Sequence, residues 1–168
     1  MVFWLIGISG AGKTTIGRRL AAYFAEKDVK HYLLDGDEVR AVFDGDLGYS
    51  TTDREANIKR IILAAYALDK CGIVTIVCNI SPFEHLRRLA RDKIAGYKEI
   101  YLKRDVTAAM NADVKGVYGK NAGEAEIIGV NIEFDEPKAP DLTLDTNALS
   151  EDETFERLIQ YMEKKAKL

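Results

Sequence analysis

Val2-Phe3-Trp4-Leu5-Ile6-Gly7-Ile8-Ser9-Gly10-Ala11-Gly12-Lys13-Thr14-Thr15 decides how the rest of the chain is read. Gly7 to Thr14 fits G-x-x-x-x-G-K-[ST] at every fixed position. Before it, Val2 to Ile6 is a short apolar run, the pattern of a buried strand. After it, Ile16, Leu20 and Phe24 recur every fourth residue, which predicts a helix over 15–27. Strand, glycine-rich loop and helix start together make a phosphate cradle. The glycines let the backbone wrap an oxyanion, and the N–H groups of the helix start point at it. The expected nucleotide contacts are Gly10, Ala11, Gly12, Lys13, Thr14 and Thr15. Lys13 meets the β/γ-phosphates as a point charge and the Thr14 hydroxyl ligates Mg²⁺. The chain is expected to bind ATP or a related nucleoside triphosphate.

A length of 168 residues suits one domain. The formal net charge of −3 gives no electrostatic footprint for a nucleic-acid backbone. The local basic run of Arg87, Arg88, Arg91 and Lys93 lies among Glu84 and Asp92 and is read as a solvated helix face. No apolar stretch reaches membrane-span length, and the first strand follows Met1 directly, with nothing resembling a leader. A cytoplasmic protein is expected. Cys71 and Cys78 bracket an apolar run too long for the two to pair, so both are read as small core residues.

Strand-like and helix-like segments alternate without repeats. Strands are expected at 31–35, 73–78, 98–102 and 142–144, and a helix over 54–70 with Ile58, Ile61, Ile62, Ala65 and Leu68 on one face. Ser81-Pro82 predicts a helix N-cap and first turn at 81–84. Ser150-Glu151-Asp152-Glu153 is a capping box before a last helix with Phe155, Leu158, Ile159 and Met162 inward. The fold class that follows is α/β with three layers: a P-loop NTPase fold with a parallel five-stranded sheet and helices on both faces. The whole chain is read as a single P-loop kinase domain. Residues 114–131 break the alternation. Gly116, Gly119, Gly123 and Gly129 punctuate them, as in a lid over the site or an irregular surface loop.

Ligands of such sheets collect at the carboxyl ends of the strands, where this chain places several charged segments. Asp35-Gly36-Asp37 follows the second strand, so one carboxylate can serve Mg²⁺ or an acceptor hydroxyl and the other a helix N-cap. The third strand ends at Cys78-Asn79, without the aspartate that many P-loop proteins place there. With no N/T-K-x-D guanine motif either, a small-molecule kinase fits better than a motor ATPase or GTPase. Tyr49, Arg54 and Asn57 gather at a helix start. Tyr49 can stack on a base or be partial core; Arg54 can pair with an anion or with Asp53.

Taken in order, the motifs resemble the adenylylsulfate kinase family. They are the P-loop, Leu34-Asp35-Gly36-Asp37-x-Val39-Arg40, Asp46-Leu47-Gly48-Tyr49-Ser50, Asp53-Arg54-x-x-Asn57-x-x-Arg60, Ile80-Ser81-Pro82-Phe83, Lys115-Gly116-x-Tyr118 and Leu144-Asp145-Thr146. The resemblance implies transfer of the ATP γ-phosphoryl group to the 3′-hydroxyl of adenosine 5′-phosphosulfate, with Mg²⁺. It implies catalytic or metal-organising roles for Lys13, Asp35, Asp37 and Ser81, with Mg²⁺ on Thr14 and Asp37. It also implies an acceptor site of Arg40, Tyr49, Arg54, Asn57, Ile80, Ser81, Lys115 and Ile128, and a homodimer.

The lid departs from the family pattern. Ala112-Asp113 stands where the family has Arg-Asp, and Tyr118-Gly119-Lys120-Asn121-Ala122-Gly123 is shorter and lacks the arginine. Ile127 or Ile128 stands where a phenylalanine completes an aromatic sandwich. Two other readings stay open on this ground. One is a kinase for another nucleotide, such as cytidine diphosphoramidate; the other is a non-catalytic nucleotide-binding regulatory domain.

Overall fold

Five parallel strands form one sheet in the order β2-β3-β1-β4-β5 in a computed structural model, which describes residues 1–112 and 127–165. The strands are β1 (Val2–Ile6), β2 (His31–Asp35), β3 (Val74–Cys78), β4 (Tyr97–Lys103) and β5 (Leu142–Asp145). The helices are α1 (Lys13–Glu26), α2 (Gly36–Val42), α3 (Thr51–Lys70), α4 (Glu84–Lys93), α5 (Val106–Ala112) and α6 (Glu151–Lys165).

β1 is central, paired with β3 on one side and β4 on the other, and all five of its residues are buried. Its side chains alternate between the two faces, as a strand period of two requires. Phe3 and Leu5 join Ile16, Leu20 and Phe24 of α1 and Leu158 and Met162 of α6 in one apolar core. Val2, Trp4 and Ile6 join Ile58, Ile61, Ile62 and Ala65 of α3 and Leu86 and Ala90 of α4 in the other. Each of the buried Leu, Ile, Val, Phe and Met side chains among them contributes about 1.5–3 kcal/mol of transfer free energy. Because neither face of the sheet is left bare, the strand ends are the place for a ligand site. Among the described residues no helix is long and apolar enough to cross a membrane.

Three local expectations are corrected. α4 begins at Glu84 with Phe83 at its N-cap position, so Ser81 caps nothing. The Glu84 N–H instead donates to the Asp135 carboxylate at 2.9 Å, a cap supplied from a distant segment. Cys71 is exposed, because it sits at the C-terminal end of α3 before Gly72 (φ 71°), whereas Cys78 is buried in β3. Arg87 is not solvated: only 4% of it is exposed. The expected capping box holds, with Ser150 and Glu153 bonded reciprocally. Of the expected lid, residues 114–126 lie outside the described residues, and Lys115 with them.

Candidate active site

The loop from Gly7 to Gly12 leaves β1 and turns directly into α1. Gly7 (φ 142°) passes so close to β4 that a Cβ there would lie 2.4 Å from the Leu102 carbonyl oxygen. Gly12 (φ 92°) occupies the N-cap position in the left-handed region, which only glycine adopts at little cost. The Lys13 ammonium donates to the carbonyls of Gly7 (2.8 Å) and Ile8 (2.7 Å), so its charge is held across the mouth of the loop. α1 carries no acidic residue in its first turn, leaving its positive dipole end unopposed there.

Thr14 links this loop to the next strand. Its hydroxyl donates to Asp35 Oδ2 at 3.1 Å, while Asp35 Oδ1 accepts the Asp37 N–H at 2.9 Å and caps α2. One carboxylate thus ties the start of α1 to the start of α2. Its partner in the structure is Thr14, whereas the sequence reading paired Thr14 with Asp37 for the metal. A hydroxyl and a carboxylate in contact are hard oxygen donors of the kind Mg²⁺ takes. Among the described residues no cluster of three or more His, Cys, Asp or Glu side chains forms a closed cage.

Gly36 is enclosed by two amides. The Asn57 Nδ2 donates to its carbonyl at 3.0 Å, and a Cβ at Gly36 would fall 2.2 Å from Asn79 Nδ2. Asn57 is 3% exposed and its Oδ1 has no hydrogen-bond partner, an acceptor left open beside Gly36. Such an atom is costly unless something occupies it.

The segment from Phe43 to Ser50 is held by three arginines. Arg60 grips Asp46 with two bonds (2.8 and 2.5 Å), and this ion pair keeps the Asp46 carboxyl below the usual carboxylate range. Arg40 Nη1 donates to the Leu47 carbonyl at 3.1 Å and to that of Gly48. Arg54 Nε donates to the Tyr49 carbonyl at 2.7 Å. The Tyr49 ring lies 4.6 Å from the Arg40 guanidinium and 5.4 Å from that of Arg54, yet it is 58% exposed. Tyr49 is therefore no core residue, and Arg54 bonds the Tyr49 carbonyl, not an Asp53 carboxylate. An exposed aromatic face between two cations suits a base with an anionic tail.

Ser81 is 1% exposed and its polar atoms are engaged. Its hydroxyl donates to Asn79 Oδ1 (2.9 Å) and accepts from Trp4 Nε1 (2.8 Å); its N–H also donates to Asn79 Oδ1. The Gly7 N–H donates to the Ile80 carbonyl at 3.4 Å, so this loop abuts the phosphate loop. Trp4, Asn79 and Arg60 were given no role from sequence. Each acts through contacts between distant segments; the strand-end position of Asn79 and the place of Arg60 in the Asp53–Arg60 motif were the signals the sequence offered.

Ile127 packs in the α1-side core with Ile8 and Ala109, and Ile128 is 3% exposed in a bridge with Ile132. A cavity of about 410 Å³ opens beside Ile8, between Tyr101, Arg104 and Phe134. Burial, with the Glu136 carboxylate beside it, pushes the Tyr101 hydroxyl up to about 12.

Comparison with known proteins then decides the family. The adenylylsulphate kinase model matches residues 1–145. The chain belongs to the adenylylsulphate kinase family. The adenylyl-sulfate kinase of Bacillus pumilus is 40% identical over 171 residues, covering 99% of this chain and 86% of that protein. A solved structure of the Mycobacterium tuberculosis APS kinase in complex with AMPPNP and APS is 33% identical with a TM-score of 0.88. That match covers 96% of each chain. The hexameric APS kinase from Thiobacillus denitrificans is 28% identical with a TM-score of 0.73 and is matched over 98% of this chain and 29% of that one. Within the family this chain is a phosphotransferase with the phosphate loop intact, and it carries isoleucine at both 127 and 128.

Proposed function

We propose that the chain transfers the γ-phosphoryl group of ATP to the 3′-hydroxyl of adenosine 5′-phosphosulfate, yielding ADP and 3′-phosphoadenosine 5′-phosphosulfate. The observation that carries this reading is the Thr14–Asp35 contact, which brings the phosphate loop against the helix bearing Asp37 and Arg40. The donor side is Gly10 to Thr15. The acceptor side is Arg40, Tyr49, Arg54, Asn57 and the Ile80–Ser81 loop, with Lys115 and Ile128 assigned from the family resemblance.

Thr14 with Asp35, and Asp37 beyond it, would hold Mg²⁺, which when bound neutralises charge on the β- and γ-phosphates. Lys13 offsets charge on the same oxygens. Phosphoryl transfer has a loose transition state, so these residues mainly align and neutralise. Asp37 orients the ribose 3′-hydroxyl in line with the γ-phosphorus and takes its proton late, as the new O–P bond forms and the bond to ADP breaks. Ser81, with its hydroxyl engaged by Trp4 and Asn79, serves as a wall of the site and not as a proton donor.

Tyr49 offers one stacking face; isoleucines stand where the family carries a second. This favours a second reading in which another nucleotide, such as cytidine diphosphoramidate, is the acceptor. Initial-rate ADP release with Mg-ATP and each acceptor, with Asp37→Ala as the blank, separates the two. Saturable turnover with adenosine 5′-phosphosulfate supports the first reading, and turnover only with the cytidine compound overturns it. The same proposal makes the chain a single kinase domain with residues 114–131 as its lid, acting as a cytoplasmic homodimer, which sedimentation equilibrium tests.

A further inference from the structure

Arg87 lies in the first turn of α4, and a buried guanidinium in that place calls for an explanation. Its two amino arms reach out of the helix to two loop carbonyls, Ser81 (2.9 Å) and Asp135 (2.6 Å). The Asp135 N–H in turn donates to the Pro82 carbonyl (2.9 Å), so the two loops are stitched in both directions. The charge is offset by Glu99 on β4, 3.9 Å away, which also accepts from the Tyr97 hydroxyl (2.9 Å) and faces Arg91 at 3.8 Å. The Phe134 ring stands 6.0 Å from the Arg87 Cζ and stacks on Tyr101. Ser81 itself has φ 47°, a conformation that a non-glycine residue keeps only when its surroundings impose it.

A buried guanidinium must place its N–H donors somewhere, and at 3.9 Å Glu99 takes none of them as a hydrogen bond, so what matters is which carbonyls receive them. The hydrogen bonds go to the loop that carries Ile80 and Ser81 and to the segment that follows Ile128. We propose that Arg87 is a positioning residue for the acceptor: it fixes the Ser81–Pro82 loop against Phe134–Asp135 and so sets one wall of the acceptor site. This rests on the acceptor reading given above. Arg87 touches no substrate; it acts through the Ser81 carbonyl.

The chain supplies its own reporter. Trp4 is the single tryptophan, and its indole N–H is bonded to Ser81 Oγ, so its emission follows this loop without any substrate. Arg87→Lys keeps a cation opposite Glu99 but reaches one carbonyl, not two. Glu99→Gln removes the charge partner and leaves both carbonyl bonds. Both variants are measured as full chains for the KM of each substrate, thermal melting and Trp4 emission. Arg87→Lys is expected to raise the acceptor KM by about tenfold or more, within the range that misplaced positioning groups cost. Its ATP KM stays near the parent value and its Trp4 emission shifts. Glu99→Gln is expected to lower the melting temperature with the acceptor KM unchanged. The proposal is overturned if Arg87→Lys leaves the acceptor KM and Trp4 emission unchanged, if both variants move both KM values together, or if Arg87→Lys has no cooperative melt. If the parent chain turns over neither nucleotide, the acceptor reading fails by itself. Trp4 emission then still decides the clamp, supporting it if Arg87→Lys shifts the emission and overturning it if it does not.

Discussion

The Thr14 hydroxyl donates to the Asp35 carboxylate across 3.1 Å, so the first turn of α1 and the end of β2 meet at one point. The same carboxylate caps α2, which carries Asp37 and Arg40. The phosphate loop and the helix bearing Asp37 and Arg40 therefore share a single anchor.

Asp35→Ala is expected to remove that anchor twice over. Loss of the cap alone costs about 1 kcal/mol of stability, read as a lower midpoint in urea. Turnover should fall by about 10²-fold or more, because a group that organises transition-state charge is displaced. Thr14→Val keeps the α2 cap and should lose turnover with little change in the urea midpoint.

Tyr49→Ala separates binding from folding. With the residue 58% exposed, removal of its ring should leave the melting temperature nearly unchanged. Losing a stacking face worth about 1–3 kcal/mol should raise the acceptor KM roughly tenfold or more while the ATP KM holds. Equal changes in both would contradict the assignment of Tyr49 to the acceptor.

Gly36→Ala tests how tightly the start of α2 packs against Asn79. Its Cβ would lie 2.2 Å from Asn79 Nδ2, an approach that side chains do not tolerate. Asn79 also holds Ser81, so the push should reach the serine loop and shift Trp4 emission as well as the acceptor KM.

Asp141 predicts acid sensitivity. Burial would raise its carboxyl, but the Glu99 N–H and the Arg91 and Lys98 cations outweigh that and hold it below the ordinary aspartate value. A depressed carboxylate contributes stability that is full above its unfolded value, about 4, and is lost as pH falls through the lower folded one. Asp141→Asn should flatten the loss of stability below that pH, measured by urea unfolding between neutral and acid conditions.

How much of this was legible in the sequence depends on how local each feature is. The strand, loop and helix around Gly7–Thr14 follow from adjacent residues, and Ile16, Leu20 and Phe24 are buried as their spacing required. The order β2-β3-β1-β4-β5 depends on pairing between distant strands, which alternation restricts but does not choose. The start of α4 was misplaced because its cap comes from Asp135 across the fold. Arg87 was misread by composition, although Phe83, Arg87, Ala90 and Ile94 have helical spacing and three of them are apolar. Period outranked charge there, because Glu99 and two carbonyls make the interior polar at that point. The hydrogen bond from Thr14 to Asp35 joins residues 21 apart in sequence, and spacing alone gave no sign of it.

The most direct test of the central claim is ³¹P NMR of the reaction of the full chain with Mg-ATP and adenosine 5′-phosphosulfate. The account predicts a new 3′-phosphomonoester resonance appearing in step with ADP, and neither product with Lys13→Met. ADP without that resonance, or no reaction with this acceptor while another nucleotide is phosphorylated, would contradict it.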